Sequence, residues 1–296
     1  MFRKFLFAIV TVALLTTGCG SALTDGLNRP VKLKGPAQHI VSLAPSNTEI
    51  LFAVGAGTQV VGRDTFSDYP GAAKDVQDIG GSMGKYDTEA ILALHPDLVL
   101  ASEINPPELV ASLEQLGLTV YYLKNPATLE EMYANLETVG KLTGQGIKAA
   151  ALVDSLKARV AAVDAKIAPL NSGPTVYYEL DASDPTKPYT AGPGTFVDLL
   201  ISRAGGSNVG ANLTSQWAQI SLEQLVVTNP NIIILGDSAY GTLAESVKSR
   251  SGWEALDAVK NDRIFPFDDN LVSRPGPRLV DGLEALAKLL HPGVFK

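Results

Sequence analysis

Between Gln145 and Lys166 the apolar positions fall on one face of a helix. Leu152, Leu156, Val160, Val163 and Ile167 recur at steps of four, four, three and four. Lys157, Arg159, Asp164 and Lys166 lie off that stripe, and Pro169 stops the run. At 1.5 Å per residue this is a rod of roughly 30 Å, longer than an ordinary domain helix. On either side the pattern changes to short apolar runs that read as strands, at 39–43, 60–63, 98–100, 175–180, 232–234 and 263–267. Helical stretches separate them. Ser46-Asn47-Thr48-Glu49 and Thr128-Leu129-Glu130-Glu131 have the form of capping boxes, opening helices that end near Gly55 and Leu142. Further helices are predicted over 195–204 and 277–290. Strands alternating with helices predict an α/β layer with a mostly parallel sheet in each half.

The halves also resemble each other. Thr88 to Leu100 and Leu222 to Ile234 each read as a short helix, an X-Pro break and an apolar strand. Glu89 matches Glu223 and Pro96 matches Pro230, both at an offset of 134. A looser echo sets Glu49 to Gly62 against Asp198 to Gly210. Two similar halves around a long helix predict two lobes on a stiff spacer with a cleft between them. The expected division is an N-terminal lobe over 38–142, a linker helix over 143–168 and a C-terminal lobe over 169–296.

The N-terminus changes the picture. Arg3 and Lys4 precede an apolar run from Phe5 to Leu15, too short to span a bilayer and typical of an export signal over 1–18. Cys19 is the only cysteine, so no disulfide can form within the chain. Leu-Leu-Thr-Thr-Gly-Cys resembles a bacterial lipoprotein signal, which implies lipidation at Cys19. Thr16 stands where such signals usually carry Leu. Residues 19–37, rich in Gly, Asn, Pro and Lys, then read as a tether. The expected location is the outer face of the cytoplasmic membrane, in a periplasm or at the cell surface, held by the lipid alone. The formal charge of −7 becomes −9 without Arg3 and Lys4, and no Lys/Arg cluster appears, which argues against nucleic acid as partner.

In parallel sheets ligands sit beyond the carboxyl ends of strands, which directs attention to loops 64–69, 80–87, 181–194, 207–220 and 268–276. Ser42-x-Ala44-Pro45-Ser46-Asn47-Thr48-Glu49, Ser67-Asp68-Tyr69-Pro70 and His95-Pro96-Asp97-Leu98-Val99 come from the first half. Gly205-Gly206-x-Asn208, Trp217-x-Gln219-Ile220-Ser221-x-Glu223 and Arg274-Pro275-Gly276-Pro277-Arg278 come from the second. Together these resemble the substrate-binding proteins of ABC importers for cobalamin, iron-siderophores and haem. The resemblance covers nearly all of the chain after Cys19, in order. It implies two Rossmann-like lobes joined by one long rigid α-helix, a bulky ligand in the cleft, and docking on a two-fold permease with its ATPase. Glu89 and Glu223 match the paired glutamates that engage basic pockets on such a permease. An early acid also favours a helix dipole, but both copies keep Glu at the same step.

Within that family the cobalamin branch is the nearest match. Phe66 and Trp217 fall on aromatic ligand contacts, Tyr69 lies three residues beyond Phe66, and Tyr189-Thr190-Ala191-Gly192 resembles Phe-Thr-Ser-Gly. Asn270 to Arg274 falls on another ligand-contacting stretch. Two departures stand out. A tryptophan of the 80–84 loop is replaced near Ser82 or Met83, and the acid of the last loop appears as Asn270 beside Asp269. The expected ligand is therefore cobalamin or a related corrinoid as transported cargo, with no resident cofactor and no metal held by the protein alone. A ferric siderophore or haem is the alternative. Met83 is counted with the expected ligand contacts; His39, His95 and His291 are poorly placed for haem, although a tyrosine or Met83 would still serve to ligate its iron, and Arg63, Arg274 and Arg278 are few bases for an anionic siderophore. A hydrolase reading rests on Gly80-Gly81-Ser82-Met83-Gly84, with His291 downstream. It needs a buried strand directly before Ser82, and Lys74 to Ile79 is too polar for one.

Overall fold

A computed structural model describes residues 22–81 and 84–295, so Cys19, Ser82 and Met83 lie outside the described residues. The N-terminal part runs β1 (Leu23–Thr24), β2 (Pro30–Val31), β3 (Ile40–Ser42), α1 (Pro45–Ala53), β4 (Val60–Arg63), β5 (Gln77–Asp78), α2 (Thr88–Ala93), β6 (Leu98–Ser102), α3 (Pro107–Gln115), β7 (Val120–Leu123) and α4 (Leu129–Thr143). Strands β3 to β7 form one parallel sheet in the order β5-β4-β3-β6-β7. Its central strands, β3 and β6, are buried along their whole length, which explains their unbroken apolar text.

Residues 22–37 correct the expectation of a tether. They fold back as the β1–β2 hairpin and dock on the first sheet. Gly26 N–H donates to Tyr122 O at 2.8 Å, Tyr121 Oη donates to Thr24 O at 2.9 Å, and the Asp25 side chain is buried. Small polar residues satisfy backbone groups here, a role that composition does not separate from disorder.

The chain then enters α5 (Gly146–Ile167), the predicted linker. Helix α4 ends at Gly144 with φ 73°, the left-handed conformation that turns the chain back on itself. Helices α4 and α5 cross closely where Gly140 meets Ala149; a Cβ at Gly140 would lie 2.5 Å from that of Ala149. The buried face of α5 is Ala149, Val153, Leu156, Val160 and Val163, rotated slightly from the predicted stripe, with Leu152 and Ile167 at its margin.

The C-terminal part contains β8 (Thr175–Asp181), β9 (Tyr189–Ala191), α6 (Phe196–Arg203), β10 (Ser207–Asn208), β11 (Trp217–Gln219), α7 (Leu222–Thr228), β12 (Ile232–Leu235), α8 (Ala244–Lys248), α9 (Asp257–Lys260), β13 (Ile264–Pro266), α10 (Asn270–Ser273) and α11 (Leu279–Leu290). Its sheet order is β11-β9-β8-β12-β13, with β10 also on β8. The sequence repeat is a topological one. Strands β8-β12-β13 reproduce β3-β6-β7, and β10 pairs with β8 as β4 pairs with β3, all parallel. The antiparallel strands β9 and β11 have no counterpart in the first sheet; the sequence reading placed both in loops.

One apolar cluster runs from the first sheet through α4 and α5 to α6 and α11 of the second, while each lobe keeps a smaller cluster on its other face. Arg159 fixes α5 to α11 through Asp281 at 2.6 Å and Glu284 at 2.6 and 2.9 Å, and Arg203 of α6 pairs with Asp164. The linker is part of the core rather than a strap beside it.

Candidate functional site

The carboxyl ends of both sheets face a cleft between the lobes, and its floor is an ion cluster drawn from both sides. Glu49 projects from α1 and is buried. It accepts from Arg278 Nε at 2.8 Å and Nη2 at 2.6 Å, and from Arg274 Nη1 at 3.0 Å. Arg274 Nη1 also donates to Asp68 at 2.7 Å. The Arg278 guanidinium lies 4.1 Å from the centroid of the Tyr69 ring. Burial acts to lower the basicity of both arginines, but their carboxylate partners outweigh it and hold them above the ordinary range.

Glu49 thus has a different role from the one its pattern predicts. Helix α1 begins at Pro45 with no side-chain cap from Ser46. The helix starts one residue before Ser46, so Ser46 lies inside it rather than at its cap, and Glu49 is left free for the distant arginines. Thr128 does cap α4, accepting from Glu131 N–H at 3.1 Å, although Glu131 accepts from Ala127 rather than completing the box.

The segment Arg274 to Arg278 contributes to the lining of two cavities. One, of about 320 Å³, is lined by Trp217, Phe196, Gln216 and Pro275 from the C-terminal lobe and by Glu103 and Lys124 from the N-terminal lobe. The other, also about 320 Å³, lies behind the ion cluster against α5 and is lined by Phe52, Tyr69, Leu156, Arg159 and Arg278. Trp217 lines the first of these and Tyr69 the second.

Trp217 sits on edge strand β11, 51% exposed, opposite Ala191 of β9. Tyr189 is two residues along β9, diagonal to Trp217 on the same face of the sheet, and is also exposed. Phe66 is 56% exposed on the N-terminal lobe. Its N–H donates to Asp64 Oδ1 at 2.9 Å, and Asp64 in turn holds Ser67, which bonds Thr48 at 2.7 Å. Burial drives the Asp64 carboxyl above the usual range, against its hydrogen bonds from Ser67 and Phe66. Tyr86 beneath the loop donates to Leu43 O at 2.8 Å; burial first, and the Asp64 charge second, push its phenol up to about 12. Asn270 opens α10 and is turned back onto Asp268 at 2.9 Å, and Asp269 accepts from Tyr178 Oη at 2.8 Å. Both groups brace the last loop.

Glu89 and Glu223 stand at the second residue of α2 and α7, both exposed. Asp87 caps the first helix and Ser221 the second, the latter in a full capping box with Gln224. With caps already supplied by other side chains, neither glutamate is needed for that purpose.

The sequence matches a family model described as periplasmic binding protein over residues 40–271. The chain belongs to the periplasmic binding protein family. Membership makes it a binding protein rather than an enzyme. The flanks of Ser82 agree: β5 is a two-residue exposed edge strand, not the buried strand that a nucleophile elbow requires. An uncharacterized ABC transporter substrate-binding lipoprotein of Bacillus subtilis, YvrC, is 32% identical over 98% of this chain and 97% of its own length. Among solved structures, a possible iron-binding protein of Staphylococcus epidermidis is 32% identical, with a TM-score of 0.73 over 86% of this chain and 98% of that one. The vitamin B12 binding protein BtuF of Vibrio cholerae is 29% identical, at 0.72 over 87% and 98%. The haem-binding protein RhuT of Roseiflexus is 26% identical, at 0.77 over 87% and 99%. All share the two-lobed α/β architecture, and their ligands differ.

Seen as a periplasmic binding protein, the chain has cleft residues that the sequence reading passed over: Asp68 and Glu49 as arginine partners, and Glu103 with Lys124 across from Trp217. Arg278 was counted only among the few bases of the cleft loops. Its four-residue spacing from Arg274 was the available signal.

Proposed function

We propose that this periplasmic binding protein captures cobalamin or a related corrinoid between its lobes and delivers it to a two-fold ABC permease. In this reading lipid at Cys19 anchors it on the outer face of the cytoplasmic membrane. The observation that carries the ligand is Trp217, half exposed where it lines an interlobe cavity, with Tyr189 exposed on the neighbouring strand and Phe66 exposed on the opposite lobe. Large flat ligands gain most from such faces, by stacking and apolar burial. The name of the B12-binding relative points the same way.

Haem or a ferric siderophore would use the same aromatic side chains. The histidines do not favour haem: His39 and His95 precede β3 and β6, and His291 lies 3.3 Å from Gly205 O before β10. All three are at the strand ends remote from the cleft.

Delivery rests on Glu89 and Glu223, one per lobe at matched helix positions, which suits a partner with two-fold symmetry. The test is uptake of labelled cyanocobalamin by cells whose chromosomal copy is deleted. Wild-type protein should restore uptake. The double variant Glu89→Ala/Glu223→Ala should bind cyanocobalamin as before and restore little uptake. Full restoration by that variant would defeat the docking role.

A further inference from the structure

Every base at the cleft floor already has a carboxylate. Arg278 is held bidentately by Glu49. That pairing uses the charge of Glu49, so the 3.0 Å contact from Arg274 to the same carboxylate leaves Arg274 to be balanced elsewhere. Asp68 does so at 2.7 Å. The Arg274 side chain is 16% exposed and that of Asp68 is 51% exposed, and Ser273 and Pro275 on either side of Arg274 line the interlobe cavity. Other acids crowd the same region. Asp268 lies 3.9 Å from Arg278, and Glu103 and Lys124 line the neighbouring cavity together. Burial acts to raise the Asp68 carboxyl, but the hydrogen bond and charge of Arg274 prevail and keep it below the ordinary range.

We propose that Asp68 is a specificity-determining residue, a built-in counter-anion that fits the Arg274 site to carboxamide-bearing ligands and turns away carboxylate-bearing ones. A primary carboxamide offers an oxygen acceptor and two N–H donors. Arg274 donates and Asp68 accepts, so an amide placed against the pair satisfies both without separating them. A carboxylate has only acceptors. It must displace Asp68 from Arg274, which sacrifices a charge-assisted hydrogen bond, or lie beside a second anion, which sets like charges together. This rests on the corrinoid reading, because a corrin periphery carries amides where porphyrin side chains end in carboxylates.

The test compares cyanocobalamin with cyanocobalamin in which one peripheral amide is hydrolysed to the acid. These probes share their shape and differ in one charge. The quantity read is the ratio of their dissociation constants, taken for each monoacid isomer. Loss of a hydrogen bond to a charged group corresponds to about ten- to a hundredfold. The wild-type protein should prefer the amide by about that factor for the isomer that reaches Arg274. In Asp68→Asn the ratio should fall to near one, whereas Asp68→Glu, which keeps the charge, should retain the preference. If Asp68→Asn does not fold, Arg274→Gln serves instead: with the cation removed and Asp68 kept, the preference for the amide should rise about tenfold. A wild-type protein that binds cyanocobalamin but shows no preference, or a preference unmoved by either Asp68→Asn or Arg274→Gln, overturns the role of Asp68. A wild-type protein that binds neither corrinoid but binds haemin tightly overturns the corrinoid reading itself, and the role of Asp68 with it.

Discussion

Glu49 accepts three hydrogen bonds from two arginines more than 220 residues away in the chain. Removing one partner of such a buried pair typically costs about 3–5 kcal/mol, because the remaining charge is left uncompensated. The pair Arg159–Glu284 on the outer side of α5 is different in kind. It is a third exposed, and Arg159 keeps Asp281 when Glu284 is lost, so its net contribution is about 1 kcal/mol or less. Its pH dependence is nevertheless readable. The hydrogen bond from Arg159 holds the Glu284 carboxyl below its ordinary 4.5. A depressed carboxyl stabilises the fold above the unfolded value, and that contribution is lost as pH falls through the folded one. In Glu284→Gln the loss of thermal midpoint relative to wild type should therefore be full near neutral pH and shrink below about 4.5. A deficit that grows on acidification would contradict the assignment.

At the scale of elements, the helix-break-strand repeat was legible because periodicity and an X-Pro break report on local conformation. The copies α2–β6 and α7–β12 fall at equivalent places in the two sheets. The linker helix was legible for the same reason: the helical face read from Gln145 to Lys166 lies on a helix spanning Gly146–Ile167. Strands β9 and β11 were not. At three residues each they are too short to show alternation. Glu49 was misread because Ser-x-x-Glu looks the same whether the carboxylate caps its own helix or meets a distant arginine. The α4–α5 crossing depends on an absent side chain. Gly140→Leu would force the helices apart at Ala149 and should destabilise the protein by about 1–3 kcal/mol, measured by urea unfolding. An unchanged unfolding midpoint would show that the crossing tolerates separation.

For the whole molecule, the two lobes share one apolar cluster through α4 and α5 and meet again at the Glu49–Arg274–Asp68 cluster. A core that continues through the linker resists the wide hinge opening that flexible strand connections permit. The cleft is therefore largely formed before a ligand arrives, and specificity depends on what lines it. Two tryptophans report on that cleft differently. Trp217 is half exposed at the interlobe cavity, whereas Trp253 is fully buried, donates to Pro185 O at 3.0 Å and stacks under Arg250 at 4.6 Å. The most direct test is tryptophan fluorescence, corrected for inner-filter absorption, during separate titrations with cyanocobalamin, haemin and a ferric siderophore. Cyanocobalamin should quench saturably and with one-to-one stoichiometry, and the saturable quenching should disappear in Trp217→Phe while the Trp253 emission remains. Saturable quenching by haemin or the siderophore with none by cyanocobalamin would contradict the corrinoid assignment.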